Sequence, residues 1–547
     1  MPRKLRAIDL YGGIGGWALG LRCAGIEVIS SYEWWESAAE TAKQNLDCKV
    51  HIEDIRKLDP KSLPKSIDIV VGSPPCVEFS YSNRGGSGDI SDGLVDIRKF
   101  LEVVRSVRPR FWAMENVPRV QQVLLRELRP GGELSEFRKL LRDDQILVVD
   151  MSEFGLPQRR KRCIAGNISF ELLLAYRQVC KETSLANAIE PLDQKTIVDV
   201  NFGQKHKHAE LTEHIKEPPL DWEEIRFNFE AKRFHPVYND MAFPEPRNRP
   251  VRTVTATCTR VSRESVIVQD QVKSDAFRRL TVRERALLQG FPFSYQFFGK
   301  SYAEKLRMIG NAIPPVFTYY VGQAMREVPL KSLVTLPNAG CSHERPVKSP
   351  VHTTPDKEGR AYPATRRFWF AIPNLRFKSG TRFDLKNSVS GGAIHWQVNF
   401  YYGPSTAIQS FPLDNTALTR VLKENWGKAF TNALKKVSAQ IKLLDARFSP
   451  ETLQRMWTTK GDRTQHPFAL IDELGEVAKS LIDAFPKEHI EHASRVILEL
   501  ARQYSDDAEV KGERKLSTYS DKILAGIVVG SVFNCHFASS RERLAAE

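Results

Sequence analysis

The chain lacks the features that mark membrane, secreted and disulfide-bonded proteins. No run of about 18 apolar residues, the minimum for a transmembrane helix, occurs in its 547 residues. The opening Met1-Pro2-Arg3-Lys4 is too polar for a signal peptide. The 8 cysteines are scattered without a CxxC pair, so we expect neither a disulfide framework nor a structural metal site. These absences favour a cytoplasmic protein without membrane contact.

Acidic residues are outnumbered by basic ones. The chain has 80 Lys and Arg against 66 Asp and Glu, a formal net charge of +14. Residues 331–547 contribute 31 basic and 23 acidic residues, an excess of +8, so the charge is not confined to the N-terminal part. A basic balance of this kind favours a polyanionic partner such as nucleic acid, although a basic protein without such a partner is an alternative.

Residues 5–165 alternate short apolar runs with helix-like segments, a pattern that predicts an α/β fold with a parallel sheet. We predict strands at 5–10, 27–32, 67–72 and 111–115, helices at 17–24, 37–45 and 96–107, and a late antiparallel pair at 146–151 and 163–166. The pattern divides the chain into 1–169, a loop-rich segment at 170–277, a helical segment at 278–330, a linker rich in Pro and Gly at 331–365, and an α+β domain at 366–547.

Cys76 stands in Gly72-Ser73-Pro74-Pro75-Cys76, directly after a predicted buried strand. The two prolines end the strand and stiffen the turn. The cysteine therefore lies at the carboxyl edge of the sheet, where ligands bind in open α/β folds. A lone cysteine is more often a small buried apolar side chain, so its neighbours decide whether it is a nucleophile.

A glycine-rich turn, Asp9-Leu10-Tyr11-Gly12-Gly13-Ile14-Gly15-Gly16, joins the first predicted strand to the first helix. Such a turn lets a nucleotide-like ligand approach the backbone. At later strand ends, Glu33 suits a pair of ribose hydroxyls, Trp34 can stack on adenine, and the carboxylate of Asp54, next to Ile55, can accept from an adenine amino group. Together these residues favour an adenosine-type cofactor.

Two further motifs carry groups suited to holding a base. Glu115 stands at a strand end in Met114-Glu115-Asn116, and a buried glutamate can bond a ring nitrogen. In Gln158-Arg159-Arg160-Lys161-Arg162 strand alternation places Arg160 and Arg162 on one face, and an arginine can bond a carbonyl oxygen. A solvated basic face is the alternative for this run.

In this order the motifs resemble those of the cytosine-5 DNA methyltransferase family. The resemblance covers residues 5–330. It rests on DLYGGIGG at 9–16, GSPPC at 72–76, ENV at 115–117, QRRKR at 158–162, RTVTAT at 252–257, LQGFP at 288–292 and GNAIPP at 310–315. It implies a Rossmann-like methyltransferase sheet, S-adenosylmethionine as cofactor and a cytosine in double-stranded DNA as substrate. The family keeps its target-recognition domain where this chain has 170–277, and 278–330 would complete the catalytic domain.

The resemblance also implies roles for single residues. Cys76 would attack carbon 6 of a flipped cytosine, Glu115 would hold ring nitrogen 3, and Arg162, with Arg160 in support, would hold the base oxygen. The nearby arginines are expected to lower the pKa of the Cys76 thiol, and the polar stretch at 81–93 is expected to close over the base. The implied cofactor-binding residues are Asp9, Tyr11, Gly12, Gly13, Gly15, Gly16, Glu33, Trp34, Asp54, Ile55, Pro74 and Asn311.

The segment 366–547 lies outside the resemblance. Its opening, from Arg366 to Arg382, interleaves basic and aromatic residues as nucleic-acid surfaces can, although a packed aromatic core is the alternative. Glu509-Val510-Lys511 superficially resembles a nuclease carboxylate–lysine set. The alternatives to a DNA methyltransferase are a tRNA-type cytosine methyltransferase, a fused methylase–nuclease and a catalytically silent DNA-binding module. A restriction or defence protein is an expected partner of the C-terminal domain.

Overall fold

The computed structural model describes residues 3–79, 89–234, 240–271, 273–355, 362–377, 380–390, 393–403, 408–413, 415–484, 490–503 and 513–544. Most of the predicted closing loop at 81–93, and all of Glu509-Val510-Lys511, lie outside these residues. The chain forms two compact units. The N-terminal unit comprises 1–224 and 242–357, and the C-terminal unit comprises 225–241 and 358–547. None of the described helices is both long and apolar enough to cross a membrane.

The N-terminal unit is built on a seven-stranded sheet. The strands and α-helices of this part of the chain are β1 (Arg6–Leu10), α1 (Gly16–Cys23), β2 (Glu27–Glu33), α2 (Glu36–Asn45), β3 (Lys49–Ile52), β4 (Ile69–Gly72), α3 (Ser91–Val107), β5 (Phe111–Asn116), α4 (Val120–Glu127), β6 (Ile146–Asp150), β7 (Gln158–Arg159) and β8 (Lys161–Gly166). The sheet order is β3-β2-β1-β4-β5-β8-β6, and β7 lies outside this sheet.

Strands β1 to β5 run parallel, whereas β8 is antiparallel to both β5 and β6. The α/β fold and the late antiparallel pair are therefore confirmed. The strand order reverses between β1 and β4, and the carboxyl edge at such a reversal is the usual ligand site of open α/β sheets. Alternate residues of the central strands enter two different apolar clusters, Ala7 and Ile69 in one and Ile8 and Val70 in the other, so the sheet is covered on both faces.

The described residues between 170 and 325 form short strands and six further α-helices, of which α7 begins in the N-terminal unit and continues into the C-terminal unit. They are α5 (Phe170–Ala175), α6 (Leu185–Ile189), β9 (Thr196–Val198), β10 (Lys205–Lys207), α7 (Trp222–Arg233), β11 (Val251–Arg252), β12 (Ile267–Gln269), β13 (Phe277–Arg279), α8 (Val282–Leu288), α9 (Tyr302–Asn311) and α10 (Pro315–Met325). Helix α10 packs on α1, and its Thr318 hydroxyl donates to the carbonyl of Gly16 at 2.8 Å. The return segment therefore completes the fold beside the glycine turn.

The expected linker at 331–365 and the expected absence of disulfides both differ from the structure. Residues 331–355 lie on the N-terminal unit, where Leu336 and His343 are buried. Cys23 and Cys341 form a disulfide with their Cα atoms 5.4 Å apart. The expectation of no disulfide is wrong because the two cysteines are separated by 318 residues, and only the fold brings them together.

The C-terminal unit pairs an antiparallel sheet with helices, in agreement with the α+β class. Its elements are β14 (Trp369–Arg376), β15 (Arg382–Ser390), β16 (Ala393–Tyr402), β17 (Gln409–Phe411), α11 (Asn415–Arg447), α12 (Pro450–Thr459), α13 (Pro467–Ala484), α14 (Ile490–Gln503), α15 (Glu513–Thr518) and α16 (Ser520–Leu544). The sheet order is β14-β15-β16-β17. Helix α16 packs closely on the sheet at Gly526. A Cβ atom at this position would lie only 2.3 Å from the Phe383 ring.

Residues 225–234, most of which lie in α7, pack within the C-terminal unit. They are far in sequence from the rest of that unit. The Phe227 ring stacks on Trp457 at 6.2 Å and meets Phe370 edge-on at 5.1 Å. Arg226 donates to both carboxylate oxygens of Asp472, at 2.7 and 3.1 Å. The segment at 170–277 therefore contributes to both units, which its irregular pattern did not predict.

Candidate active site

The turn that carries Cys76 is fixed by bonds to neighbouring strands. The Ser73 backbone N–H donates to the carbonyl of Leu10 at the end of β1, at 3.2 Å. The Asn116 side-chain amide, at the end of β5, donates to the Pro74 carbonyl at 3.1 Å. Because Pro74 also has a fixed φ, Cys76 is presented on a rigid corner between two strand ends, and its side chain is half-buried.

Glu115 and Arg162 come together from adjacent antiparallel strands. Glu115 is opposite Ile164 in the register of β5 and β8, so Arg162 lies on the same face, one diagonal step away. The Arg162 Nε atom is 2.9 Å from Glu115 Oε1, and the two side chains are only 13% and 7% exposed. A largely buried ion pair of this kind holds both side chains in one geometry.

The electrostatic environment of Cys76 corrects one expectation. Burial raises the pKa of the Cys76 thiol, and this effect is the largest. The charges of Arg162 and Arg160 lower that pKa and the charge of Glu115 raises it, but the sum remains above the usual value of a thiol. The arginines therefore act in the expected direction, but the thiol pKa is still raised overall, because desolvation of the thiolate outweighs their attraction. Cys76 follows β4, which pairs with the strand β5 that carries Glu115, and β5 pairs with the strand β8 that carries Arg162.

Arg160 occupies a different position from Arg162. Its side chain is 2% exposed, and it donates to the carbonyls of Val254, Gly310 and Ala312 at 3.1 to 3.2 Å. Arg160 therefore joins the strand region beside the active site to the RTVTAT and GNAIPP segments. This geometry makes Arg160 a positioning residue, whereas Arg162 reaches the glutamate at the strand end.

The glycine turn after β1 has the backbone conformation that favours glycine. Gly13 and Gly15 have φ angles of +56° and +88°, and a Cβ atom at Gly13 would meet nothing within 4 Å. A Cβ atom at Gly12 would lie 2.2 Å from the Ser31 hydroxyl, and one at Gly16 would lie 1.9 Å from the Ile313 carbonyl. The turn is thus open at Gly13 and tightly packed on either side, a cradle that can receive a ligand.

Glu33 fixes one side of this cradle. Its carboxylate accepts the backbone N–H of Gly13 at 2.8 Å and that of Trp35 at 2.7 Å. Burial raises the pKa of Glu33, while these backbone bonds act in the opposite direction. The neighbouring Trp34 is 66% exposed, so its ring is available for stacking.

Asp54 and Ile55 follow β3, which ends at Ile52 and not at Asp54 as expected. The Asp54 carboxylate accepts the backbone N–H of Arg56 at 3.1 Å and caps a short 3-10 turn, and the side chain is half-exposed. Ile55 is buried. Asn311 ends α9 and is exposed.

Asp9 and Tyr11 support the turn from within. Asp9 is fully buried, its carboxylate oxygens have no hydrogen-bond partner among the described residues, and burial raises its pKa well above the usual value. Tyr11 is buried, has φ +54°, and donates its hydroxyl to the Asp96 carboxylate at 3.2 Å. Sequence reasoning missed Asp96 and Asn116. A buried amide directly after Glu115 was a usable signal for Asn116, whereas nothing in the sequence marks Asp96.

The segment after the active site is anchored to it by backbone pairing. Strand β11 pairs in parallel with β7, so that Val251 lies opposite Gln158. The Gln158 side chain accepts the backbone N–H of Val254 at 2.8 Å and donates to the Leu288 carbonyl at 3.0 Å. These bonds are buried and fix the start of RTVTAT next to the strand that carries Arg162.

Comparisons with known proteins identify the family of the chain. A family model described as C-5 cytosine-specific DNA methylase matches residues 5–327. The chain is 26% identical over 327 residues to the Type II methyltransferase M.HgiDI of Herpetosiphon aurantiacus, covering 59% of this chain and 94% of that protein. It is also 26% identical over 339 residues to the Type II methyltransferase M.HindV of Haemophilus influenzae, covering 60% of this chain and all of that protein.

Among solved structures, a putative DNA modification methyltransferase of an Escherichia coli prophage aligns with 59% of this chain and 99% of its own at 20% identity and a TM-score of 0.43. The family model spans more than half of the chain and includes the cysteine turn, the glutamate–arginine pair and the glycine cradle. The chain therefore belongs to the C-5 cytosine-specific DNA methylase family and is a cytosine-5 DNA methyltransferase.

Proposed function

We propose that this chain methylates carbon 5 of a cytosine within a specific sequence of double-stranded DNA, through a covalent intermediate on Cys76. The observation that carries the proposal is the convergence of Cys76, Glu115 and Arg162 at the carboxyl edge of the sheet, next to the glycine cradle. A cytosine in duplex DNA reaches this corner only after leaving the base stack.

The groups around Cys76 have complementary tasks. The Cys76 sulfur adds to carbon 6 of the ring and forms a carbon–sulfur bond, which makes carbon 5 nucleophilic. A proton held between the Glu115 carboxyl group and ring nitrogen 3 neutralises the negative charge that develops on the ring. Arg162 orients the Glu115 carboxyl group at 2.9 Å and donates to the base oxygen. After carbon 5 has gained its methyl group, it loses its proton to a base, and the carbon–sulfur bond breaks to release the thiolate.

The residues around the glycine turn fit S-adenosylmethionine, which supplies the methyl group when bound. The open position at Gly13 accepts a ligand close to the backbone. The Glu33 carboxylate retains lone pairs that would accept from ribose hydroxyls, the exposed Trp34 ring would stack on adenine, and Asp54 would accept from the adenine amino group. Gly12, Gly15 and Gly16 keep the turn compact, Asp9, Tyr11 and Ile55 support it from within, and Pro74 and Asn311 border it.

The names of the matched relatives indicate a cellular role. The matched relatives are named Type II methyltransferases, which favours a role in restriction–modification or phage defence in the cytoplasm, with a restriction or defence protein as partner. The segment at 170–277, apart from its α7 residues in the C-terminal unit, would read the target sequence, because loops suit contacts to base edges.

The test compares methyl transfer by the wild-type protein with that of Cys76→Ser and Cys535→Ser. Cys535 is an exposed free cysteine in α16 and serves as the matched control. We expect Cys76→Ser to lose methyl transfer while it still binds S-adenosylmethionine, and Cys535→Ser to keep full activity. Bisulfite sequencing of host DNA with and without this gene identifies the modified cytosine. Methylation of tRNA but not of duplex DNA, or full activity of Cys76→Ser, contradicts the proposal.

A further inference from the structure

The sheet of the C-terminal unit has one face that packs on helices and one that carries polar and aromatic side chains. Phe370, Leu385 and Val398 point to the packed face and are buried. The opposite face, called here the polar face, comprises Trp369, Arg382, Asp384, Lys386, Gln397 and Tyr401 on three adjacent strands. It lies beyond the end of the family match at residue 327, so the family assigns it no role.

Two aromatic rings lie on the polar face. Trp369 is 56% exposed, an unusual value for a tryptophan in a strand. Its indole N–H donates to the Asp384 carboxylate at 2.6 Å, which fixes the ring over the sheet. The Tyr401 ring lies 6.1 Å from the Trp369 ring at an angle of 38°. An exposed ring held in this way provides a platform on which a base can stack.

Two basic side chains lie beside these rings. The Arg382 guanidinium lies 4.7 Å from the centre of the Tyr401 ring and donates to Asp384 at 2.8 Å. The Lys386 ammonium lies 3.4 Å from the Tyr401 hydroxyl, and within the described part of the chain no carboxylate forms an ion pair with it. Lys386 is therefore a cation available to a phosphate next to the aromatic platform.

The polar face also contains a donor and an acceptor without partners. Asp384 and Asn399 lie opposite each other in the register of β15 and β16. The Asp384 Oδ1 and Asn399 Nδ2 atoms are buried, and neither has a hydrogen-bond partner among the described residues. These two atoms are not accessible to a ligand, so the accessible part of the polar face is the part around Trp369, Lys386 and Gln397.

We propose that the polar face binds unpaired nucleotides of single-stranded DNA or RNA, with a base on Trp369 and a phosphate at Lys386. Unpaired bases fit because a stacking platform needs a free base face, which a duplex hides. The excess of +8 in residues 331–547 attracts a polyanion to this part of the chain. This binding is additional to methyl transfer and does not depend on Cys76.

The test measures fluorescence anisotropy of the full-length protein with labelled oligonucleotides of about 12 nucleotides, a length within the range that such surfaces bind. Oligo-dT and oligo-U lack cytosine and so do not occupy the methyl-transfer site as substrates, and a dA–dT duplex of equal length is the double-stranded control. We expect at least one of the two single strands, oligo-dT or oligo-U, to bind more tightly than the duplex. The tighter of the two identifies DNA or RNA as the source.

The variants separate the polar face from general charge. Trp369→Ala is expected to weaken single-strand binding about tenfold or more, and Trp369→Phe to retain most of it. Lys386→Gln is expected to weaken binding and to reduce the salt dependence by about one phosphate contact. Lys442→Gln, at an exposed lysine of α11, is the control and is expected to bind as wild type does.

Equal binding of the single strands by wild type and Trp369→Ala, or equal binding of single strand and duplex, overturns the proposal. If circular dichroism shows that Trp369→Ala is unfolded, Trp369→Phe and Lys386→Gln decide the matter. A loss with Lys386→Gln that Lys442→Gln does not reproduce supports the polar face, and no loss with Lys386→Gln overturns it. Methyl transfer to duplex DNA by Trp369→Phe is expected to equal that of wild type.

Discussion

Replacing Glu115 by Gln keeps the shape of the side chain and removes its charge, and the structure predicts separate effects on rate, stability and pH dependence. Glu115 is 7% exposed and lies 2.9 Å from Arg162. If Glu115 holds the ring nitrogen during attack, loss of its charge and proton lowers the methyl-transfer rate about 10²–10⁴-fold, which corresponds to about 3–5 kcal/mol.

The same substitution has a much smaller effect on folding. A hydrogen bond to a charged group is replaced by one to a neutral amide, a loss of about 1 kcal/mol. For a unit of this size we expect a fall in Tm of about 1–2 °C. A loss of rate far larger than the loss of stability distinguishes a catalytic role from a structural one.

The reactivity of the Cys76 thiol is expected to change in the opposite direction from the methyl-transfer rate. The Glu115 charge raises the pKa of the Cys76 thiol, so Glu115→Gln lowers that pKa and increases the thiolate fraction at a given pH. Because iodoacetamide reacts with the thiolate, we expect Cys76 to be alkylated faster at neutral pH in Glu115→Gln even though methyl transfer is slower. Cys76→Ser supplies the background from the other cysteines. Methyl transfer within tenfold of wild type, or slower alkylation of Cys76, would refute the reasoning.

Three further substitutions test the supporting structure. Arg160→Met leaves the Val254, Gly310 and Ala312 carbonyls without their donor and is expected to destabilise the protein by about 1–3 kcal/mol, seen in thermal unfolding; an unchanged Tm contradicts the positioning role. Gly13→Ala adds a methyl group in the open position of the cradle at a φ of +56° and is expected to weaken S-adenosylmethionine binding in calorimetry; unchanged binding argues against the cradle. Phe227→Ala removes a partly buried ring from the aromatic cluster of the C-terminal unit and is expected to cost about 1.5–3 kcal/mol in urea unfolding. Phe229→Ala, at a 39% exposed ring, is expected to cost less.

Local pattern was sufficient to predict the elements that present the active site. The strand predicted at 27–32 is Glu27–Glu33, and the helix predicted at 37–45 is Glu36–Asn45. Strand alternation also predicted that Arg160 and Arg162 share one face, and both are more buried than Arg159 and Lys161. These features follow from neighbouring residues, so the sequence contains them directly.

Features that depend on distant residues could not be predicted. Arg160 bonds carbonyls 94 to 152 residues away, and Asn116 holds the Pro74 turn from another strand. The net rise in the pKa of Cys76 depends on how deeply the fold buries the sulfur. The place of α7 in the core of the C-terminal unit likewise depends on Phe370 and Trp457, more than 140 residues further along the chain.

The central claim is that Cys76 forms a covalent bond to the target cytosine. A duplex target with 5-fluorocytosine in place of the modified base tests it, because fluorine at carbon 5 cannot leave as a proton does and the adduct persists. With S-adenosylmethionine present, peptide mass spectrometry is expected to find the nucleotide bound to the peptide that contains Cys76, and Cys76→Ser is expected to form no adduct. An adduct on another residue, or an adduct that survives in Cys76→Ser, would contradict the account.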